Sequence, residues 1–366
     1  MKIDLVDVKA QYAPLVPAYR EAFERVVESG RFIFGPEVAG FESEAAEYLG
    51  VPHAIGVANG TDALVLALEA LGIGHRGGGS GDEVICPAFT FYATAEAIVR
   101  AGATPVFADI DAVSLNLDPD DVERRLTSKT KAIMPVHLFG RPAALATLSA
   151  FGLPLIEDAA QAFGAAGTGT TGICSTYSFF PTKNLFALGD GGLVSCLDDE
   201  VADRLRMLRF HGSREKTTFE LVGTNSRLDA LQAAFLRVSL PQLNGWNASR
   251  REAAARYAEL GLGDAVELPP DEPGHVYHLF VVRTPERDRV VASLQAREIA
   301  SASYYVTPLH LQPALRFLGY EEGALPETEK AAAENLALPM WAGIAFEQQQ
   351  RIVETVLDAV GVASAR

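Results

Sequence analysis

From residue 51 to about 210 the chain alternates short, β-rich apolar runs with Ala- and Leu-rich stretches whose apolar positions recur at helical spacing. The runs are HAIGVA, DEVICP, TPVFADI, KAIMPVH, LPLIED, TYSFFP and GLVSCL. LVLALEALGI links the first to the second and YATAEAIVRAG the second to the third, each ending near a glycine, so these are βαβ units. The pattern predicts an α/β protein whose large domain, residues 1–240, holds a mostly parallel seven-stranded sheet flanked by helices. Near residue 240 the character changes: LPQLNGWNASRREAAARYAELG reads as one long helix leaving that domain. HVYHLFVVRT, DRVVASLQAREI and SASYYV then read as strand, helix and strand of a smaller C-terminal α/β domain, residues 241–366. The glycine cluster GIGHRGGGSGDE fits neither a dinucleotide fingerprint nor a Walker loop and reads as a surface loop.

Composition narrows the class. The 366 residues are 48% hydrophobic, enough for one large core and a smaller one. No apolar run approaches the roughly 18 residues a membrane span needs, and MKIDLVDVKAQY lacks the plan of a signal peptide, so a soluble cytoplasmic protein is expected. A net charge of −16 with scattered acids argues against a nucleic-acid partner, and an anionic substrate would need a local basic pocket. Cys86, Cys174 and Cys196 lack metal-ligand spacing and read as buried reduced thiols.

Candidate chemistry falls on four stretches at the carboxyl ends of strands, where ligands of open α/β folds collect. In ANGTDAL a strand ends at Asn59-Gly60 and a helix starts at Thr61, which makes either a plain helix cap or an anion site on free backbone N–H groups. In IEDAAQAFGA an apolar strand delivers Glu157 and Asp158, of which only one can face a site; a structural ion pair is the alternative use of either. In TYSFFPTKNLFALGDGG, Ser178 lies in an aromatic strand, Lys183 follows it, and Gly189, Gly191 and Gly192 read as turn-makers. Lys183 is either a snorkelling surface charge or a buried amine able to form a Schiff base with a carbonyl. In VGTNSRLDALQAA, Asn225 and Arg227 precede a helix. An anion cradle, a carboxylate, an amine and the aromatics of PAFTFYAT together match the needs of pyridoxal phosphate.

At this point the chain resembles the DegT/DnrJ/EryC1/StrS sugar aminotransferases, within the fold-type-I pyridoxal-phosphate enzymes. The likeness runs nearly end to end, through DVKAQY, GRFIFGPEV, NGTDAL, GDEVICPAFTFYATAEAI, IEDAAQAFGA, SFFPTKNLFALGDGG, NSRLDALQAA, PLHLQPAL and LALPMW. It implies that Lys183 is the Schiff-base lysine, that Asp158 partners the pyridine nitrogen, that Gln161 lies beside the ring hydroxyl, and that Phe91 stacks on the ring. Gly60, Thr61 and Ser178 match the phosphate cradle, and Asn225 matches an asparagine reaching a phosphate of the neighbouring subunit, which implies a homodimer with shared active sites. The cofactor would be pyridoxal 5'-phosphate, with pyridoxamine 5'-phosphate as the intermediate form.

The resemblance further implies transamination of a nucleotide-linked keto sugar by an amino acid donor, glutamate being the family's usual one. DVKAQY, GRFIFGPEV and NGTDAL are similar to the branches acting at sugar C3, so a dTDP-3-keto-6-deoxyhexose is the expected acceptor. UDP-linked 3-keto uronic acids, 4-keto sugars and keto-cyclitols are the alternatives. Arg209, His211, Arg214 and Lys216, with Tyr305 and His310, are candidate substrate contacts; a solvated helix end and loop is the other reading of the basic four. The longer glycine insertion, Thr224, Tyr304 and Val306 depart from the family pattern near the acceptor side. A related sugar dehydratase group carries histidine at the lysine place, and a non-catalytic sensor that kept the fold would not need Lys183, Asp158, Gln161 and Ser178 together.

Overall fold

A computed structural model describes residues 2–74 and 81–362; residues 75–80, the centre of the glycine cluster read as a surface loop, lie outside the described residues. All seven expected strands form: β1 His53–Val57, β2 Glu83–Pro87, β3 Thr104–Ala108, β4 Thr130–Ile133, β5 Ile156–Asp158, β6 Cys174–Ser178 and β7 Gly192–Cys196. Hydrogen-bonded ladders join β3-β2-β4 and β5-β6-β7-β1. Parallel bridges Ile133↔Leu155 and Val136↔Asp158 close the seam between the two groups, giving one seven-stranded order, β3-β2-β4-β5-β6-β7-β1. β7 runs antiparallel to both neighbours and the other ladders are parallel.

The helices in chain order are α1 Val8–Tyr12, α2 Val16–Ser29, α3 Pro36–Leu49, α4 Gly60–Ala70, α5 Ala93–Ala101, α6 Pro119–Arg125 and α7 Leu145–Ser149. They continue as α8 Asp199–Leu208, α9 Ala230–Ser239, α10 Leu243–Glu259, α11 Arg287–Ala296, α12 Pro326–Glu334 and α13 Phe346–Val360. Successive strand residues point to opposite faces, so each strand feeds two cores. Ile55 and Val57 of β1 pack with α4, α5 and α8, whereas Ala54, just before them, packs with α2, α3 and α9. Burial on both faces is why these strands are apolar almost throughout.

The long helix α10 leaves the sheet, as expected, and its Ala253, Ala254 and Tyr257 pack with α11, α13 and a two-stranded antiparallel ladder of β8 Phe280–Arg283 and β9 Asn335–Leu338. Ile3 joins the same core. The expected strand SASYYV is a correction: it makes one bridge, Ala302↔Ala337, and β8 pairs with NLAL instead. The Tyr304 amide donates to the Asn335 side chain at 2.6 Å and the next residue's ring turns towards Gln161, which ends the ladder after one rung. Among the described residues no helix is long and apolar enough to cross a membrane.

Candidate active site

The carboxyl ends of β1, β5 and β6 meet where α4 begins. Asn59 caps α4: its Oδ1 accepts from the Asp62 amide at 2.8 Å and its carbonyl from Ala63 at 3.1 Å. The amides of Gly60 and Thr61 are the ones left for an outside acceptor. Ser178 hangs over them, so close that a Cβ on Gly60 would sit 2.8 Å from the Ser178 Cβ and 3.3 Å from its Oγ. Glycine is required here for close approach.

Of the glycines read as turn-makers, Gly189 lies in the bend that leads into β7, whereas Gly192, the first residue of β7, serves close approach. Gly189, Gly191 and Gly192 do not lie in the left-handed region, and a Cβ on Gly192 would fall 2.4 Å from the Asn59 carbonyl group. Gly192 lets β7 pass against the start of α4, beneath the cradle.

Glu157 and Asp158, successive on β5, face opposite ways. Glu157 is fully buried behind the sheet, where its carboxylate accepts from His137 Nε2 at 2.9 Å and from the Gly169 and Gly172 amides at 2.9 and 2.6 Å. His137 Nδ1 accepts from the Ala143 amide at 2.9 Å, which assigns the ring proton to Nε2. Burial alone would raise the Glu157 carboxyl, but these donors outweigh it and hold it below its ordinary value. Because the folded carboxyl ionises at lower pH than the unfolded one, its stabilisation is complete above about 4.5 and is lost as pH falls through the folded value. Glu157→Gln should therefore cost about 3 kcal/mol at pH 7, since it leaves buried donors facing an amide N–H. Urea titrations at pH 7 and pH 4 check this, and an equal loss at both pH values would contradict it.

Asp158 faces the cradle side and is 5% exposed. Thr94 Oγ1 donates to its Oδ2 at 2.8 Å and the Ala160 amide to its Oδ1 at 3.2 Å. Burial pushes its carboxyl above the ordinary value in spite of those donors and the nearby Lys183. Lys183 lies in the turn after β6, its amide bonded to the Phe180 carbonyl at 2.8 Å and its side chain partly buried. Burial pulls its ammonium down to about 8, opposed by the Asp158 charge. A snorkelling lysine would keep its usual basicity.

An aromatic wall closes one side. Phe91, just before α5 and 57% exposed, lies 6.2 Å from the Tyr305 ring. Gln161 Nε2 donates to the Tyr305 hydroxyl at 3.2 Å, and its Oε1 accepts from the Phe139 amide at 2.7 Å, which fixes the amide's orientation. Asp158, Lys183, Phe91, Gln161 and Tyr305 thus lie together, and Ser178, beside Gly60, joins them through Phe180, from whose amide it accepts and whose carbonyl accepts from Lys183.

The remaining candidates stand elsewhere. Arg209 is buried, pairing with Glu42 and donating to the Gly56 carbonyl. Arg214 pairs with Asp203 and Glu220, and His310 with Glu329 at 3.0 Å. His211 and Asn225 are exposed, Asn225 bridging Phe210 across a short antiparallel contact. Thr94 and Phe139 are site residues that the sequence reading missed. The 90/94 spacing of two threonines at a helix start was a usable signal for the first; nothing local marked the second.

These groups fit pyridoxal phosphate on their own terms: an anion cradle too tight for any side chain on Gly60, a buried carboxylate lacking a full counter-ion, and an amine pulled down to about 8. The comparisons with known proteins agree. The model of the DegT/DnrJ/EryC1/StrS aminotransferase family matches residues 16–357. The "Pleiotropic regulatory protein" of Geobacillus stearothermophilus is 47% identical, covering 98% of both chains. The dTDP-3-amino-3,4,6-trideoxy-alpha-D-glucose transaminase of Streptomyces venezuelae is 43% identical over 98% of this chain and 96% of its own. The crystal structure of S. venezuelae DesV superposes with a TM-score of 0.93 at 42% identity, covering 99% of each chain. The chain accordingly belongs to the DegT/DnrJ/EryC1/StrS family and is a pyridoxal-phosphate-dependent aminotransferase.

Proposed function

We propose that the chain transaminates a nucleotide-linked keto sugar, a dTDP-3-keto-6-deoxyhexose in particular, with glutamate as amino donor. The observation that carries the reading is the meeting of a depressed Lys183 amine, a buried Asp158 carboxylate and the Gly60–Ser178 cradle in one site. The amides of Gly60 and Thr61 and the Ser178 hydroxyl would hold the phosphate, Phe91 would lie against the ring, Gln161 would meet its hydroxyl, and Asp158 would keep its nitrogen protonated. Bound there, pyridoxal phosphate supplies a carbonyl for amine exchange and an electron-accepting ring. Lys183 Nζ, near 8, is basic enough to take the proton from the donor Cα and acidic enough to return one to the acceptor carbon.

Acceptor chemistry at C3 is supported by the name of the Streptomyces relative, a 3-amino sugar transaminase. Of the acceptor-side candidates we place Tyr305 against the sugar, beside Phe91 and Gln161; Arg209 and Arg214 already spend their charges, and His310 its Nε2, on acids of this chain. A homodimer in which Asn225 of one subunit completes the neighbour's phosphate site is part of this reading, supported by exposed Phe23, Val27, Phe32 and Ile33 around the end of α2.

The test is the reverse reaction, run with 2-oxoglutarate on amino sugar nucleotides that differ in nucleotide and amino position. Turnover should be greatest with dTDP-linked 3-amino-6-deoxyhexoses. Turnover confined to 4-amino sugars would overturn the C3 assignment, and preference for UDP-linked 3-amino uronic acids would overturn the nucleotide.

A further inference from the structure

Asp158 is anchored at more points than its strand requires. Its amide donates to the Pro135 carbonyl at 2.9 Å and its carbonyl accepts from His137 at 3.0 Å, so the backbone is pinned on the β4 side. Its Oδ1 takes the Ala160 amide and its Oδ2 the Thr94 hydroxyl. A carboxylate only accepts, so the single hydroxyl hydrogen of Thr94 is spent on Oδ2. The Thr90 hydroxyl, 3.2 Å from Thr94 Oγ1, must then be the donor in that second contact. The result is a one-way relay, Thr90 to Thr94 to Asp158, with Thr90 and Thr94 at 1% and 0% exposure.

Two features separate this relay from routine satisfaction of buried hydroxyls. Thr94 is the second residue of α5, where a hydroxyl is well placed to cap its own helix start; it points across to β5 instead. Its amide bonds to the Phe91 carbonyl at 3.2 Å, so the helix start that presents the Phe91 ring also presents the hydroxyl. One turn of α5 thereby sets both the stacking ring and the carboxylate.

We propose that Thr94, backed by Thr90, is a positioning residue that holds the Asp158 carboxylate as an oriented anion for the ring nitrogen of the cofactor. This rests on the cofactor roles proposed above. The titratable groups facing Asp158 are Lys183, His137, Cys86 and Tyr305, and His137 already gives its Nε2 proton to Glu157. Thr94 supplies a neutral donor that stays in place whatever the state of Lys183.

The experiment compares Thr94→Val, Thr94→Ser and Thr90→Val with wild type as pyridoxal-phosphate-loaded proteins. Thr94→Val, close in shape, should lower kcat about 10- to 100-fold, the range for one hydrogen bond to a charged group, with little change in donor KM. A less anionic Asp158 leaves the ring nitrogen less positive, so the pH midpoint of the bound cofactor's absorbance should rise by about one unit. Thr94→Ser should restore both wild-type values, and Thr90→Val should shift them in the same direction by less. A Thr94→Val protein that loads normally and keeps the wild-type kcat and midpoint overturns the inference, as does a Thr94→Ser protein as impaired as Thr94→Val. Wild type that stays colourless with pyridoxal phosphate defeats the proposed cofactor roles instead, so the two failures are distinguishable.

Discussion

Lys183→Ala is expected to give a folded protein that forms no yellow species with pyridoxal phosphate and whose transaminase kcat falls by about 10⁴-fold or more. The residue has two uses, covalent anchor and proton carrier, and the second alone accounts for about 10²–10⁴-fold. The neighbouring His278 cannot take over, since it is 5% exposed, is no primary amine and is pushed well below its usual pKa by burial. Stability should move the other way. The folded amine titrates near 8 against 10.5 unfolded, so its ammonium is disfavoured by the fold, and that cost sets in as pH drops from 10.5 through 8. Removing the amine should leave the cofactor-free melting temperature at pH 7 unchanged or slightly higher. Absorbance with added cofactor, single-turnover kinetics and thermal melts check the three parts; a yellow, active Lys183→Ala protein would sink the assignment.

Asp158→Asn should lower kcat by about 10³-fold, the order found when one preorganised electrostatic group is removed from a buried site. Its sign on stability is again opposite. The folded carboxyl is raised above 3.8 by burial, so the fold loses stability as pH climbs past 3.8 towards the folded value, and above that value the cofactor-free protein carries the whole cost of a poorly solvated charge. Asparagine can keep its oxygen for the Ala160 amide and donate its Nδ2 to Thr94 Oγ1, whose hydroxyl is free to turn to Thr90, all without that charge, so the cofactor-free melting temperature should rise by roughly 1–3 °C. A residue kept for structure would lose stability on replacement; one kept for function gains it. Measured melts and kcat that fall together would place Asp158 among the structural residues. Glu157, its neighbour, is expected to behave in that structural way, with the fall at pH 7 described above.

Much of this was legible beforehand. The seven sheet strands stood out because burial on both faces demands unbroken apolar runs, a requirement that can be read one residue at a time. Lys183, Asp158 and Ser178 stood out because polar residues at the ends of such runs have few other uses. SASYYV was misjudged for the converse reason: its β-rich composition suits a strand, but a distant side chain, Asn335, takes the Tyr304 amide and stops the ladder. Gly192 was misjudged because φ and close approach favour the same residue, and only the position of Asn59 shows which one acts there.

By itself the sequence determined the layered α/β architecture and the helix cap at Asn59 and offered Lys183, Asp158 and Ser178 as candidate chemistry, since all of these depend on local pattern and on the chemistry of single side chains. Tertiary structure decided which of Glu157 and Asp158 faces the cradle, that Lys183 is buried deeply enough to lose basicity, that Arg209 is spent on Glu42, and that Thr94 reaches Asp158. Each of those is a contact between residues far apart in the chain, set by strand order and helix docking, and no local pattern encodes it.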